Sequence, residues 1–335
     1  MDTRQPTKRR FAAGTGTIAL AVLLLLCASA LVSACGGSST TASSSPSVAP
    51  SLVAASMAAS PSAAPLPKAA VHGTIAFTKL SEGSMDIYVV HSDGRGLRRL
   101  AEDARVPAWS PDGSKIAYNT GGDIWVMNAD GSGQRLVTTT PGELYGVAWS
   151  PDGTQLVFSN ADRLAVVNTD GSGRKWVSGA SSGVWGFSPA WAPNGRIFFG
   201  RRSQDLGEIG SVDPDGRGLT VVTATADPPS FSSFSLSPDG KRLAIWDRDS
   251  DRLVRMTASG RGLAVVLVEK VSQYFGYAGP VLSSWSPNGS KIALGLDSQS
   301  YLVPGTAVYV AKADGSEVWK VPNTDDAYDP AWRPE

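Results

Sequence analysis

The stretch Pro107-Ala108-Trp109-Ser110-Pro111-Asp112-Gly113, followed by the apolar run Ile116-Ala117-Tyr118, decides the fold because it recurs along the chain. The other copies are Trp149-Ser150-Pro151-Asp152-Gly153, Trp191-Ala192-Pro193-Asn194-Gly195, Leu236-Ser237-Pro238-Asp239-Gly240, Trp285-Ser286-Pro287-Asn288-Gly289 and a truncated Pro330-Ala331-Trp332-Arg333-Pro334-Glu335. Their spacing of roughly 40 to 50 residues is typical of repeat architectures. The sequence therefore predicts an array of one structural unit.

A second repeat lies between successive copies of the first. Asp86-Ile87-Tyr88-Val89-Val90 leads to Asp93-Gly94, and Asp123-Ile124-Trp125-Val126-Met127 leads to Asp130-Gly131. The runs are rich in β-branched and aromatic residues, and Asp-Gly is a strong hairpin signal. Each unit then has four strands: A through the Trp, B after Pro-Asp-Gly, C before Asp-Gly and D after it. We expect an all-β, six-bladed β-propeller with four-stranded antiparallel blades; a β-sandwich or two stacked barrels is the alternative.

The two ends of the repeat array are complementary. The first B strand, Thr74-Ile75-Ala76-Phe77, has no A strand before it, and the last A strand, around Trp332, has no B strand after it. The C-terminal strand should therefore join the first blade and close the ring, which removes free sheet edges.

The N-terminus has the pattern of an export signal. Basic residues precede an apolar segment from Thr17 to Leu31, and Val32-Ser33-Ala34-Cys35 follows. Small residues before a cleavage site are typical of secretory signals, and Leu31 to Cys35 resembles the bacterial lipobox. We expect a lipoprotein signal peptide over residues 1–34 and lipidation, palmitate included, at Cys35. An uncleaved transmembrane anchor is the alternative.

Residues 35–70 are rich in Ser, Ala and Pro and contain no aromatic residue. Such a composition cannot bury enough apolar surface to fold, so a disordered linker is expected. The polar part from Gly36 to Lys68, a coil of about 33 residues, would reach roughly 30 Å. The propeller is expected over residues 71–335. Cys27 leaves with the signal and Cys35 is lipidated, so no disulfide is expected.

The Trp-Ser-Pro-Asp-Gly unit, combined with Asp-Ile-Tyr-Val and Asp-Gly, resembles the TolB-type propeller repeat, which is related to the WD-repeat propellers. The resemblance implies a protein-binding platform, and the lipoprotein signal predicts an extracytoplasmic location, lipid-anchored to the bacterial cell membrane. The TolB protein also carries an N-terminal α/β domain that has no counterpart in this sequence, so its pore-translocation role is not carried over. A fold alone does not establish a function.

The direction of the strands sorts the loops into two faces. The A–B and C–D turns share the turn face, which is uniform, and the D–A and B–C connections share the loop face, which is varied. Variable loops on a rigid scaffold are where binding usually resides. The candidate binding residues on the loop face are Arg105, Glu143, Tyr145, Trp185, Arg201, Arg202, Arg248, Tyr274, Tyr277, Asp325, Asp326 and Tyr328. Some of these aromatic side chains could instead pack between blades.

The strings in this sequence that resemble catalytic or metal-binding motifs are incomplete. Gly179-Ala180-Ser181-Ser182-Gly183 matches the nucleophile-elbow string but lacks the strand, helix and later His that this motif requires. Asp213-Pro214-Asp215-Gly216 lacks the remaining ligands of a calcium loop, and two histidines give no zinc site. We expect no enzyme activity, no cofactor and no metal.

The formal net charge is zero, which does not favour nucleic acid. The expected function is a membrane-tethered, monomeric binding module with an envelope protein as partner. A carbohydrate or cell-wall sensor is the alternative, and a propeller-borne polysaccharide-active enzyme is a remote one.

Overall fold

The computed structural model describes residues 73–140, 144–160, 163–177, 189–203, 206–223, 231–247, 250–260, 265–275, 281–298 and 305–335. The chain divides into two units, Met1–Ser60 and Pro61–Glu335, and the described residues all belong to the second. The predicted signal peptide, Cys35 and the predicted linker lie outside the described residues, as does the nucleophile-elbow string.

Within these ranges the second unit contains 24 strands and one single-turn helix. In chain order they are β1 (Thr74–Ser81), β2 (Ser84–His91), β3 (Arg98–Ala101), β4 (Arg105–Trp109), β5 (Lys115–Thr120), β6 (Asp123–Asn128), β7 (Arg135–Thr138), β8 (Leu144–Trp149), β9 (Gln155–Asn160), β10 (Arg163–Asn168), β11 (Lys175–Trp176), β12 (Ala190–Trp191), β13 (Ile197–Ser203), β14 (Leu206–Val212), β15 (Thr220–Val221), β16 (Phe231–Leu236), β17 (Arg242–Asp247), β18 (Arg252–Thr257), β19 (Val265–Glu269), α1 (Ser272–Phe275), β20 (Val281–Trp285), β21 (Lys291–Leu296), β22 (Tyr309–Lys312), β23 (Val318–Lys320) and β24 (Ala327–Trp332).

The strands form antiparallel sheets that follow the chain. β4 to β7, β8 to β11, β12 to β15 and β16 to β19 each make a separate four-stranded sheet. The remaining strands, β20 to β24 with β1 to β3, make one sheet of eight, which we call the joined sheet. In every sheet the strand that contains the Trp of the motif, or Leu236 in its place, occupies the A position, as the repeats predict.

The prediction of a six-bladed propeller with four-stranded blades is therefore wrong, because the structure has four four-stranded sheets and one sheet of eight strands. One parallel bridge between Leu296 of β21 and Tyr328 of β24 connects the sheets at the two ends of the array. A register shift in the β1–β24 pairing and a positive φ of 49° at Asp329 mark a bend in β24, and its residue Tyr328 is paired with both Thr78 of β1 and Leu296 of β21. Bulges bend strands in this way, and no repeat signal predicts that contact.

The predicted pairing of the two chain ends is present in the joined sheet. β24 runs antiparallel to β1, with Trp332 opposite Ile75 and Ala331 opposite Ala76. The last strand of the chain thus forms the A position of the sheet that begins with the first strand.

The core lies between successive sheets, because inner strands such as β5 and β9 are buried on both faces. In β5, Ile116 and Tyr118 pack into the cluster shared with the preceding sheet, whereas Ala117 packs into the cluster shared with the following sheet. Side chains alternate across a strand, which explains why the B strands are continuous apolar runs. Among the described helices, none is long and apolar enough to cross a membrane.

Deletion of residues 329–335 tests the pairing of the chain ends. The deletion removes Trp332, which is 4 % exposed, and loss of a buried Trp costs about 3–5 kcal/mol in a domain whose total stability is about 5–15 kcal/mol. We expect loss of the cooperative transition in thermal unfolding followed by circular dichroism. Deletion of the exposed Glu335 alone is the matched control, and an unchanged transition in the longer deletion would contradict this role of β24.

Candidate functional site

The Trp side chains of the repeat connect neighbouring innermost strands. The Trp149 Nε1–H donates to the carbonyl of Ala108 at 2.9 Å, and the Trp109 Nε1–H donates to the carbonyl of Ala331 at 3.2 Å. The Trp285 Nε1–H donates to the carbonyl of Ser235 at 3.4 Å. In each pair the acceptor is the residue before the Trp, or its Leu equivalent, of the preceding copy. These bonds fix the spacing of the strands around the centre.

Two Trp copies differ from this pattern. The Trp191 Nε1–H donates to Gly195 of its own turn at 3.0 Å. The buried Trp332 Nε1 has no hydrogen-bond partner, while the Trp332 backbone N–H donates to Ser284 Oγ at 2.9 Å. The ring of indole bonds is therefore incomplete among the described residues.

The turn after each Trp is a second recurring network. Asp112 Oδ1 accepts hydrogen bonds from Ser110 Oγ at 2.6 Å and from the Ser114 backbone N–H at 3.0 Å. Gly113, with φ of 64°, closes the turn, a conformation that side chains disfavour. Hydrogen bonds from Ser110 and Ser114 lower the pKa of Asp112 to about 2. The turn residues are thus occupied with building the scaffold.

The innermost strands surround a central cavity of about 570 Å³. Most of its described lining consists of Trp, Pro and small residues of the recurring motif itself. The small residues that precede each Trp or its equivalent, and that have part of their surface accessible, are Ala108, Ala148, Ala190, Ser235, Ser284 and Ala331. The cavity is therefore largely apolar, and the motif that predicts the fold also lines the centre.

Asp329 is the single ionisable side chain among the described residues lining this cavity. It is 3 % exposed, and it accepts hydrogen bonds from the backbone N–H and the Oγ of Ser298. Burial and the neighbouring Asp297 raise the pKa of Asp329 to about 6. Both acids are buried, at the contact between β21 and β24.

The loop-face candidates are distributed around the start of the innermost strands. Arg105 opens β4 immediately before the lining residue Val106. Asp325 Oδ1 accepts from Lys320 Nζ at 2.5 Å, and this contact lowers the pKa of Asp325. Asp326 Oδ1 accepts from the Gly305 backbone N–H at 2.7 Å.

Other candidates have packing roles. Tyr274 packs its ring on Tyr309 with centroids 5.3 Å apart, and Arg201 pairs with Glu208 at 3.3 Å. Tyr328 is fully buried in the joined sheet, so its side chain does not reach the surface. Glu143, Trp185, Arg248 and Tyr277 lie outside the described residues, as do the side chains of Tyr145 and Arg202.

Sequence reasoning missed the cavity lining. The predicted binding residues lie mainly in the connections before each Trp, whereas the cavity is built from the motif residues that follow those connections. A signal was available in the small residue that precedes each Trp or Leu236, because a small side chain on an innermost strand leaves open space. No cluster of three or more potential metal-binding side chains occurs among the residues that the structure describes.

Sheets of antiparallel strands whose innermost members surround a cavity define a β-propeller. This chain belongs to the TolB beta propeller domain family, whose model matches residues 57–235, more than half of its length. No curated protein matches it.

Solved structures show the same fold at low identity. TolB from Acinetobacter baumannii is 20 % identical, with a TM-score of 0.66 over 78 % of this chain and 67 % of that one. A chain of a nidogen/laminin complex is 11 % identical, with a TM-score of 0.60 over 78 % and 98 %. An oligogalacturonate lyase in complex with manganese is 14 % identical, with a TM-score of 0.50 over 74 % and 73 %. At these identities the likeness concerns the fold alone.

Replacement of Asp329 by Asn tests the buried carboxyl pair. The pKa of Asp329 is raised from 3.8 to about 6 in the folded state, so folding binds protons in this range and stability falls as pH rises through it. At pH values above the folded-state pKa, Asp329 is ionised, and the full cost of burying its charge lowers the stability of the unsubstituted protein. We therefore expect the melting temperature of Asp329→Asn, relative to the unsubstituted protein, to increase from pH 4 to pH 6.5 and then to level off.

Asp112→Asn is the matched control, since Asn288 occupies the equivalent turn position. The pKa of Asp112 is lowered to about 2, so its contribution to stability is lost only as pH falls below the ordinary Asp range. The change in melting temperature caused by Asp112→Asn should therefore be constant between pH 4.5 and 6.5. If the change in melting temperature caused by Asp329→Asn is also constant over this range, the raised pKa of Asp329 is contradicted.

Proposed function

We propose that this protein is a membrane-tethered, extracytoplasmic protein-binding module of the bacterial cell envelope, with the partner bound at the loop face over the central cavity. The central cavity carries this proposal. It is apolar, lined by Trp and Pro, and surrounded by strands that hydrogen bonds hold in place. Rigid apolar pockets that accept an anchoring side chain are typical centres of protein interfaces.

The composition of the cavity favours recognition over catalysis. Its described lining contains one ionisable group, Asp329, which Ser298 hydrogen-bonds and which is almost fully buried. General acid–base chemistry needs a titratable group within reach of the reacting atoms. The likeness to the oligogalacturonate lyase concerns the fold, and we propose no activity from it.

The surroundings of the cavity match the usual anatomy of an interface. Arg105 precedes the cavity lining directly on β4, and Asp325 and Asp326 lie shortly before Asp329 in the chain. Protein interfaces commonly combine an apolar centre with a charged, accessible rim. Charges of both signs at this rim would orient a partner while the cavity accepts its apolar anchor.

The tether is proposed from the sequence. Cys35 closes a segment that resembles a lipobox, and a polar stretch separates it from the first strand. Several acyl chains together give stable membrane attachment, which one chain does not. A linker reaching roughly 30 Å would let the propeller meet partners anchored nearby.

Photo-crosslinking tests the proposed binding face. A photoreactive amino acid at position 105 or 326 should give discrete protein adducts in intact cells, because both positions lie on the loop face, at the start of β4 and just before β24. The same amino acid at exposed position 130, on the turn face, should give none and is the matched control. Equal adducts at position 130 would contradict this face. Binding on a glycan array without protein adducts would favour the carbohydrate alternative.

Cys35→Ala tests the tether. Without the thiol there is no site for the lipid, so metabolic labelling with a palmitate analogue should fall to background. The protein should then leave the membrane fraction or accumulate as an uncleaved precursor. Cys27→Ala is the matched control and should keep full labelling. Undiminished labelling of Cys35→Ala would contradict lipidation at this residue.

A further inference from the structure

A second cavity, of about 530 Å³, lies between the sheet of β16 to β19 and the adjacent part of the joined sheet. We call it the basic cleft. Its described lining consists of four cationic residues, one acid and two small residues: Arg242, Arg255, Lys291, Lys312, Asp314, Ser290 and Ala313. The basic cleft opens on the turn face, away from the proposed protein-binding surface, because its lining residues lie beside the A–B and C–D turns.

Aromatic and backbone contacts hold three of the cations in place. The Arg242 guanidinium lies 5.1 Å from the centroid of the Trp285 ring, and Lys291 Nζ lies 5.3 Å from that of Trp319. Arg255 Nη1 donates to the carbonyl of Ala313 at 3.1 Å, across the boundary between the two sheets. These contacts position the charges without neutralising them.

Carboxylates compensate the cleft only in part. Lys312 pairs with Glu317 at 2.9 Å, in an exposed arrangement of the kind that contributes little to stability. Arg242 lies 3.9 Å from Asp239, which is a long ion pair. The one acid of the lining, Asp314, accepts hydrogen bonds from Ser316, as its equivalents do in other turns. Burial, and then the neighbouring Lys312, lower the pKa of Lys291, whereas Glu317 raises the pKa of Lys312.

The repeats show that two of these cations are not part of the scaffold. In each C–D turn the Gly N–H donates to the carbonyl three residues earlier, which aligns the copies. Lys312 provides the accepting carbonyl in its copy, and the equivalents in the other copies are His91, Asn128, Asn168, Asp213 and Thr257. Arg255 lies two residues before this position in its own copy, where the others carry Val89, Val126, Val166, Ser211 and Val310.

Two acids of the repeat are also missing around the basic cleft. The A–B turn before Lys291 carries Asn288 where three copies have Asp, and the C–D turn after Arg255 carries Ser259 where the other five have Asp. Asn288 accepts the same hydrogen bonds, from Ser286 Oγ at 2.9 Å and the Ser290 N–H at 3.0 Å. The turn therefore folds without the charge.

The other Asn copy provides a comparison. After Asn194, the cation at the start of the B strand is Arg196, which pairs with Asp213 at 2.8 Å. At the basic cleft the corresponding residue pair is Lys291 and Lys312, two cations. Relative to other copies of the repeat, this sector has gained two cations, Arg255 and Lys312, and lost two acids, at Ser259 and Asn288. Positive charge is therefore concentrated here in a chain whose formal net charge is zero.

We propose that the basic cleft binds a phosphate group, either free phosphate or the phosphate of a lipid headgroup. Guanidinium groups match phosphate oxygens with a planar fork of donors, and ammonium groups add point charges. The oxygens of one phosphate group can accept hydrogen bonds from several cations at once, which a single carboxylate does less well. This site is independent of the proposed protein-binding surface, and neither proposal depends on the other.

Titration calorimetry tests the site with the full-length protein in neutral detergent micelles at low salt. Inorganic phosphate is the first probe, phosphatidylglycerol added to the micelles is the second, and glucuronate is the carboxylate comparison. Arg255→Val combined with Lys312→Asn installs residues that other repeats carry at these positions. Loss of two charge-assisted contacts should weaken phosphate binding at least about tenfold.

A second variant, Ser259→Asp with Asn288→Asp, restores the missing turn acids and should also weaken binding while keeping every cation. Lys115→Gln, which installs the residue of the next copy at the same position on the turn face, is the matched control and should bind as the unsubstituted protein does. Unchanged thermal melting in each variant separates lost binding from lost folding.

Binding of inorganic phosphate identifies free phosphate as sufficient, and binding of phosphatidylglycerol micelles alone identifies a lipid headgroup as the source; both outcomes support the site. Equal affinity in the unsubstituted protein and both double variants would overturn it. Glucuronate binding as tight as that of phosphate would overturn the choice of ligand.

Discussion

The hydrogen bond from a Trp indole to the carbonyl of the neighbouring innermost strand is the interaction on which the rest of this structure depends. Trp149 reaches Ala108, and Trp109 reaches Ala331, so the contacts run between sheets that share no other backbone ladder. Each such bond contributes about 1 kcal/mol and also fixes how closely the strands approach. The small residues between them then leave the central cavity open. The same motif therefore sets both the spacing of the sheets and the shape of the candidate site.

Closure of the chain ends places a charge where the rest of the centre is apolar. β24 pairs with β1 and also touches β21, and Asp329 directly follows Tyr328, the residue that makes both contacts. The carboxyl group of Asp329 becomes buried beside Asp297, which raises its pKa to about 6. The joined sheet and the buried acid pair are consequences of the same contact, and both distinguish the ends of the array from its interior.

One sector of the turn face differs in charge from the other copies of the repeat. Where Asp occupies a turn, its carboxylate accepts hydrogen bonds from Ser hydroxyls and backbone amides, and these bonds explain why Asp is present. Asn288 makes the same bonds without the charge, so the choice between Asp and Asn is free to serve another purpose. In one sector this choice coincides with Arg255 and Lys312, which no other repeat carries. The face that looks uniform by its motif is thus electrostatically uneven.

The sequence by itself determined the strands, the turns and the pairing of the chain ends, because Trp, Pro-Asp-Gly and Asp-Gly recur with local conformational preferences that act within a few residues. It also supplied the family resemblance. Only the tertiary structure decided that the end sheets join through Leu296 and Tyr328, that Tyr328 is buried, and that Arg242, Arg255, Lys291 and Lys312 line one cleft. These features depend on contacts between residues far apart in the chain, whose distances follow from sheet packing and bulges rather than from any local pattern.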